Sequence, residues 1–176
     1  MSSSFARATL IIVSAMSLAL TAPAAHAAPD AVRVPGKIGV GIGSGTLANG
    51  LSAKWYLAYE HALQFNLGVY GGGGIHSRWA HAAGFAFSVD YLFELPDIAT
   101  VGRAFVLGWN VGAGGGIGVS NGHAQLAVAA SFVLGLELRF IPAPLDLVIE
   151  YRPGLLIVPE ANFDPVDFTA HLRFYF

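Results

Sequence analysis

Large apolar residues alternate with small or polar residues along most of the chain. In residues 37–43, Ile38, Val40 and Ile42 alternate with three glycines. A period of two places successive side chains on opposite faces of a β-strand. This run therefore predicts a strand with one bulky face and one nearly empty face.

The same alternation recurs and predicts about eight strands. The runs are 37–43, 51–56, 62–69, 84–91, 104–112, 125–139, 145–152 and 168–176. Between the first two, Asn49-Gly50 is a typical hairpin pair and predicts a turn over residues 46–50. Beyond residue 27, no stretch shows a 3.6-residue period, and no apolar run reaches the roughly 18 residues of a helical membrane span. The pattern predicts an all-β protein.

Charged residues make up only 11% of the chain, whereas hydrophobic residues make up 55%. These are too few charges to cover one face of every strand, as a soluble protein requires. The less bulky face carries Gly, Ala, Ser and Asn, which fit the narrow lumen of an eight-stranded barrel. The bulky face then meets hydrocarbon, where an open sheet edge is costly. We therefore expect a closed antiparallel transmembrane β-barrel of about eight strands in an up-and-down meander. A soluble β-sandwich or lipocalin-like barrel is the alternative.

The N-terminus has the pattern of an export signal. Arg7 precedes an apolar run over residues 8–20, which is too short to span a bilayer comfortably. Ala25-His26-Ala27 fits the small-x-small cleavage rule. We expect a Sec-type signal peptide over residues 1–27, cleaved near Ala27, a periplasmic lead-in over 28–36 and the barrel over 37–176. An uncleaved helical anchor is the alternative.

Aromatic residues cluster near the predicted strand ends, where they favour interfacial girdles. They are Trp55, Tyr56, Tyr59, Trp79, Tyr91, Phe93, Phe140, Phe174 and Phe176. With both termini in the periplasm, the loops near 45–50, 71–78, 116–122 and 158–166 lie outside. These short tips offer little surface for a large partner.

The final run, Phe168–Phe176, alternates apolar and polar residues and ends on phenylalanine. Together with the export signal and the eight strands, it resembles the small outer-membrane barrels of the OmpA/OmpX type. The resemblance covers nearly the whole mature chain, but it is architectural. It implies that Leu172, Phe174 and Phe176 form the signal read by the barrel-assembly machinery. It also implies outer-membrane lipid as the surrounding partner.

Several charged residues fall on the inward face by strand parity. Those expected to form a network of salt bridges and hydrogen bonds in the lumen are Asp90, Glu137, Arg139, Glu150, Arg152 and Arg173, with Lys54 and Asp146 also facing inward. Ionised groups in a narrow lumen need partners because desolvation is costly. We expect this network to plug the lumen. The alternative is that the network conducts a proton or an ion through the lumen.

The sequence offers little other chemistry. There is no cysteine, and the net charge of -2 with scattered basic residues argues against nucleic acid. The histidines at 61, 76, 81, 123 and 171 have no paired metal spacing, so we expect adventitious or surface histidines and no metal. His76-Ser77 and His81 match no serine-hydrolase motif, and the glycine runs match no phosphate-binding loop. No cofactor or catalytic residue is expected.

The sequence thus predicts a non-enzymatic outer-membrane barrel with a structural or envelope-integrity role and a side-chain-filled lumen. A barrel that binds lipid or a small hydrophobic molecule is the alternative, followed by a lipid-modifying enzyme. A structural barrel lacks a continuous apolar cavity, a binder retains one, and an enzyme gathers a nucleophile, base and acid at one rim.

Overall fold

The computed structural model describes residues 32–70, 84–120 and 126–176. Within them the strands are β1 (Ile38–Ser44), β2 (Ala48–Ala58), β3 (His61–Tyr70), β4 (Gly84–Glu94), β5 (Ala99–Val101), β6 (Phe105–Ser120), β7 (Leu126–Phe140), β8 (Leu145–Tyr151), β9 (Gly154–Val158), β10 (Asn162–Asp164) and β11 (Phe168–Tyr175). In these ranges no helix is long and apolar enough to cross a membrane.

The strands close into a barrel. β1 to β4 follow one another as antiparallel neighbours, then β6, β7, β8 and β11 continue the sheet, and β11 pairs with β1. β9 pairs with β7 just beyond β8, so β8 and β9 are two halves of one barrel strand, interrupted at Pro153, whose ring leaves no N–H for the ladder. β10 and β11 likewise belong to one strand. Among the described residues the fold is therefore a closed eight-strand antiparallel meander, which confirms the predicted all-β closed barrel and its strand order.

The strand register fixes the width of the barrel. Following paired residues once around the wall leads from Leu138 on β7 to Val128 on the same strand, a shear of ten residues. With strands about 4.8 Å apart and about 3.3 Å per residue, eight strands with this shear tilt by about 40° and leave a backbone radius of about 8 Å. Side chains alone can fill such a lumen.

Two adjacent rows of residues show how the two faces differ. The exposed or half-exposed outer row runs through Leu138, Leu147, Leu172, Ile42, Leu51, Leu67, Phe87, Ile117 and Val128. The inner row next to it runs through Arg139, Asp146, Arg173, Gly41, Ser52, Asn66, Ser88, Gly116 and Ala129. The outer row is entirely apolar, whereas the inner row is charged, polar or small.

The predicted turn at Asn49-Gly50 is wrong. Both residues lie within β2, where Gly50 pairs with Gly68 of β3. A Cβ on Gly68 would meet the Asn49 carbonyl oxygen, so these glycines permit a close approach of two strands rather than a turn. The chain reverses earlier, where the Gly45 N–H donates to the Ala48 carbonyl (2.8 Å).

This β1–β2 turn folds into the lumen instead of forming the predicted outer loop near 45–50. Thr46, Leu47 and Ala48 are all buried, and a Cβ on Gly45 would touch the Asn66 side chain. Glycines on the lumenal face of β6 make room for it, since a Cβ on Gly116 would meet the Thr46 carbonyl oxygen. The turn thus occupies the loop end of the barrel, which we define as the end opposite the chain termini.

Replacing Gly116 by valine is therefore expected to lower the free energy of unfolding by about 1–3 kcal/mol, because the new side chain overpacks the lumen against the Thr46 backbone. Urea titration of the folded protein measures this loss. Ala113→Val is the matched control, because Ala113 lies exposed on the outer face of the same strand. Equal stability of the two variants would contradict the inward position of the turn.

Candidate functional site

The lumen concentrates the charged side chains of the barrel. All six residues proposed for the polar network, Asp90, Glu137, Arg139, Glu150, Arg152 and Arg173, lie there with at most 1% exposure. Lys54 and Asp146 face the same way, as strand parity predicts, and Glu94 is equally buried. Buried charges are tolerated only with partners at hydrogen-bond distance, so their pairing defines the site.

The first group lies at the terminal end, where β1 begins and β11 ends. The Lys54 ammonium lies 2.7 Å from Glu94 Oε1 and 2.8 Å from Glu137 Oε1. Arg139 Nη1 donates to Glu137 Oε2 (3.1 Å), and the Tyr56 hydroxyl donates to Glu137 Oε1 (3.1 Å). Glu137 therefore accepts from both a lysine and an arginine.

The lead-in segment completes this group. Val32 is fully buried, and Arg33 places Nη2 3.0 Å from Glu94 Oε2 and 3.4 Å from Glu137 Oε2. Its Nη1 donates to the Leu95 carbonyl (2.8 Å). With Asp97, which accepts from Arg139, the group holds three cations and three carboxylates. The chain before β1 thus closes the terminal end of the lumen.

A second group occupies the middle of the lumen. The Arg173 guanidinium faces the Asp146 carboxylate, with Nη2 2.8 Å from Oδ2 and Nε 3.1 Å from Oδ1. The Tyr175 hydroxyl donates to the same carboxylate (2.6 Å), and Arg173 Nη1 donates to Gln64 Oε1 (2.5 Å). Two donors on one arginine matched to one carboxylate make a geometrically specific pair.

The third group lies toward the loop end and is centred on Arg152. Its Nη2 lies 2.6 Å from Asp90 Oδ1, and its Nη1 lies 2.6 Å from Glu150 Oε2. The same Nη2 donates to Thr46 Oγ1 (3.1 Å), whose hydroxyl also lies 2.6 Å from Ser131 Oγ. One guanidinium thereby joins β4 and β8 to the inward turn, which Thr46 also links to Ser131 of β7.

His171 lies in this third group, so the expectation of a surface histidine is wrong at this position. It is 1% exposed, with Nε2 2.9 Å from Glu150 Oε2 and Nδ1 2.9 Å from Ser52 Oγ. These contacts form a serine–histidine–carboxylate chain. However, Ser52 is itself buried, and the Arg152 guanidinium already occupies Glu150. The chain therefore holds His171 in place without presenting a nucleophile.

Hydrogen bonds join the second and third groups, whereas the first and second groups meet through packed rings. Gln64 links the second and third, because it accepts from Arg173 and donates to Glu150 (3.1 Å). The first and second meet through the Tyr56 and Tyr175 rings, whose centroids lie 5.8 Å apart. The Glu137–Arg139 pair and the Glu150–Arg152 pair thus lie in separate groups.

Sequence reasoning missed several members of these groups. It ended the fourth strand at residue 91, before Glu94, and placed Tyr56 in an interfacial girdle, yet both side chains are lumenal. The signal was present for both, because Asp90, Leu92 and Glu94 share one parity, as do Lys54 and Tyr56. The position of Arg33 had no such signal because it lies outside any strand.

Other predicted residues have mixed outcomes. Leu172, Phe174 and Phe176 of the proposed assembly signal face outward, with 42%, 45% and 72% exposure. Trp79 and the histidines at 76, 81 and 123 lie outside the described residues, as does the segment 1–27.

Two buried clusters of apolar and aromatic side chains pack against these polar groups. Toward the loop end the buried cluster is Leu47, Ala48, Tyr70, Ala86, Ala127, Ala129 and Leu156. Toward the terminal end it is Val32, Tyr56, Ala62, Leu92, Val133 and Tyr175. The lumenal charges are therefore paired with opposite charges, and apolar side chains pack beside them.

Within the described part of the chain, no three His, Asp or Glu side chains are arranged to hold a metal ion. Across the whole chain, no protein-family model, no curated protein and no solved structure matches.

Proposed function

We propose that the mature chain is a small outer-membrane barrel with a structural, envelope-integrity role. The observation that carries this proposal is the unbroken apolar row that encircles the outer wall beside an inner row containing Arg139, Asp146 and Arg173. Water favours the opposite arrangement, with charge outside and apolar groups inside. A hydrocarbon environment accounts for both rows at once.

The same contrast disfavours the soluble lipocalin-like alternative. A soluble barrel that binds apolar molecules needs a polar exterior and an apolar cavity. Here large side chains such as Ile42, Leu51 and Phe132 are at least half exposed on the outer wall. Inside, Lys54 and Glu137 are fully buried. The architecture resembles OmpA/OmpX-type barrels, with both termini in the periplasm.

The filled lumen favours a structural role over transport or catalysis. The three charged groups and the two buried clusters fill the lumen, and their contacts tie the strands of the wall to one another, to the lead-in segment and to the inward turn. Breaking such contacts to pass an ion requires separating paired charges in a low-dielectric interior, which is costly. We therefore assign the network to holding the barrel shut.

The test is electrophoresis of the outer-membrane fraction in SDS, with unheated and boiled samples side by side. A closed membrane barrel resists SDS until it is heated, so we expect the protein in this fraction with a heat-dependent mobility shift. If all of the protein were in the soluble fraction and its mobility did not change on heating, the proposal would be overturned in favour of the soluble barrel.

Deleting Phe176 is expected to reduce the amount of folded, heat-shifting protein in the outer membrane, because the assembly machinery loses its terminal anchor. Phe163→Ala is the matched control, since Phe163 is similarly exposed (62% against 72%) but lies on β10. Equal outer-membrane levels of the deletion variant and the control would remove the assembly signal from the proposal.

A further inference from the structure

The wall surrounds the guanidinium group of Arg33 with acceptors at the terminal end of the lumen. Arg33 Nη2 lies 3.0 Å from Glu94 Oε2 and 3.4 Å from Glu137 Oε2. Its Nη1 donates to the Leu95 carbonyl (2.8 Å) and lies 3.5 Å from Asp97 Oδ1. These partners belong to β4, to the segment that follows it and to β7, and none of them belongs to the lead-in.

A glycine on β6 makes room for this guanidinium. Gly108 pairs with Glu137 in the strand register. A Cβ added to Gly108 would lie 3.0 Å from Arg33 Nη2 and 2.7 Å from Arg139 Nη1. Non-bonded heavy atoms pack best at about 3.5–4.0 Å, so a side chain here would displace the guanidinium. We call Glu94, Leu95, Asp97, Gly108 and Glu137 the guanidinium seat.

Contacts that do not involve Arg33 hold the seat in place. The Lys54 ammonium lies 2.7 Å from Glu94 Oε1 and 2.8 Å from Glu137 Oε1. Arg139 Nη1 donates to the other oxygen of Glu137 (3.1 Å). Both carboxylates therefore keep a cationic partner when Arg33 is removed, so the seat is formed in advance of its occupant.

A vacant seat favours a guanidinium over other cations. Without Arg33, the described residues of the first group hold Lys54 and Arg139 against three carboxylates, so one negative charge is uncompensated. This charge attracts a cation. The acceptors of the seat face two different nitrogens of one planar group. They match the fork of a guanidinium better than the compact charge of an ammonium.

A single turn directs the lead-in from the rim into the lumen. The Lys37 N–H donates to the Val34 carbonyl (3.1 Å), and Gly36 has a φ of 86°. With Pro35 before Gly36, this is the geometry of a type II turn, which requires a positive φ at its third residue. Residues 32–37 belong to no strand, so releasing them breaks no pairing between the described strands. The lead-in can therefore withdraw while the barrel stays closed.

We propose that the guanidinium seat is a ligand-binding site, which the lead-in fills with its own Arg33 and which accepts a guanidinium-bearing ligand from solution when the lead-in withdraws. The Arg33 side chain is 12% exposed, whereas Glu94 and Glu137 are fully buried behind it. A ligand therefore reaches the two carboxylates only after Arg33 has left. The seat lies inside the barrel, so this site does not depend on the proposed membrane location.

The test is isothermal titration calorimetry of the full folded chain with ethylguanidinium, which reproduces the arginine side chain beyond Cβ. Arg33→Ala vacates the seat and leaves its residues unchanged. We expect this variant to bind ethylguanidinium about tenfold more tightly than the unmodified chain, which corresponds to about 1.4 kcal/mol. Ethylammonium has the same hydrocarbon part but one charged nitrogen, so it should bind Arg33→Ala more weakly. Circular dichroism verifies that each variant is folded.

Gly36→Val tests the tether and retains both Arg33 and the seat, so it is informative even if Arg33→Ala does not fold. Valine is strained at a positive φ, although no described atom beyond the adjacent residues lies within 4 Å of the added Cβ. We expect more chains with a withdrawn lead-in and proportionately tighter apparent binding of ethylguanidinium. Gly102→Val is the matched control, because Gly102 also has a positive φ (56°) and open space, but it lies between β5 and β6.

The outcomes separate the parts of the proposal. If folded Arg33→Ala bound no ethylguanidinium, the seat would not be a ligand site. Equal affinity for ethylguanidinium and ethylammonium would overturn its selectivity. If Arg33→Ala bound no more tightly than the unmodified chain, or Gly36→Val no more tightly than Gly102→Val, the lead-in would not be the competing occupant. None of these results alters the electrophoretic test of the membrane location.

Discussion

Replacing Arg152 by methionine is expected to lower the free energy of unfolding by about 3–5 kcal/mol, the usual cost of removing one partner from a buried ion pair. Arg152 lies 2.6 Å from both Asp90 and Glu150. Without it, these two buried carboxylates lose the cation that pairs with both of them. The variant also loses the hydrogen bond to Thr46, which holds the inward turn. Urea titration in detergent micelles measures the loss.

Two further variants isolate the cause. Arg103→Met makes the same chemical change at an exposed turn position, where we expect less than about 0.5 kcal/mol. Adding Asp90→Asn to Arg152→Met removes one of the two stranded carboxylates, so the double variant should regain part of the stability. If Arg152→Met were no less stable than Arg103→Met, the network would not hold the barrel together.

The fold was predictable because one physical rule applies to every strand. Alternation of large and small residues assigns each side chain to a face, and an eight-strand lumen about 8 Å in backbone radius admits only the small or paired face. This reasoning correctly placed Lys54, Asp90 and Arg173 in the lumen. It requires no knowledge of which residues touch.

The β1–β2 turn shows where local reasoning fails. Asn49-Gly50 is a strong hairpin signal, but Gly50 faces Gly68 of β3, and that pairing depends on a strand later in the chain. The inward fold of Thr46 depends on Ser131 and Arg152, which are distant in sequence. A short-range pattern contains no information about such partners.

The polar network was predictable in its members but not in its pairing. Parity places a side chain on a face, whereas pairing depends on height along tilted strands and on side-chain length. Gln64, for example, joins Arg173 to Glu150 across the lumen, and no spacing rule identifies it. Arg33 enters from a segment without regular structure, so its position follows from tertiary contacts alone.

Placing an arginine at Leu134 is expected to destabilise the barrel in vesicles by about 2–4 kcal/mol, the cost of a basic side chain on the lipid face near the bilayer midplane. Leu134 is 40% exposed near the middle of β7, where its strand neighbours are Val111 and Tyr151. Reversible urea unfolding from phospholipid vesicles measures the difference from the unmodified chain.

Val166→Arg is the matched control, because Val166 is 42% exposed but lies between β10 and β11, at the loop end. Near the interface the cost of a basic residue falls to about 0–1 kcal/mol, so the two variants should differ by a few kcal/mol. In a soluble barrel both side chains would face water, and both substitutions would cost little. A small effect at both positions would therefore contradict the membrane location, whereas a large effect at Leu134 alone requires a surrounding solvent that is apolar at mid-wall and aqueous at the loop end.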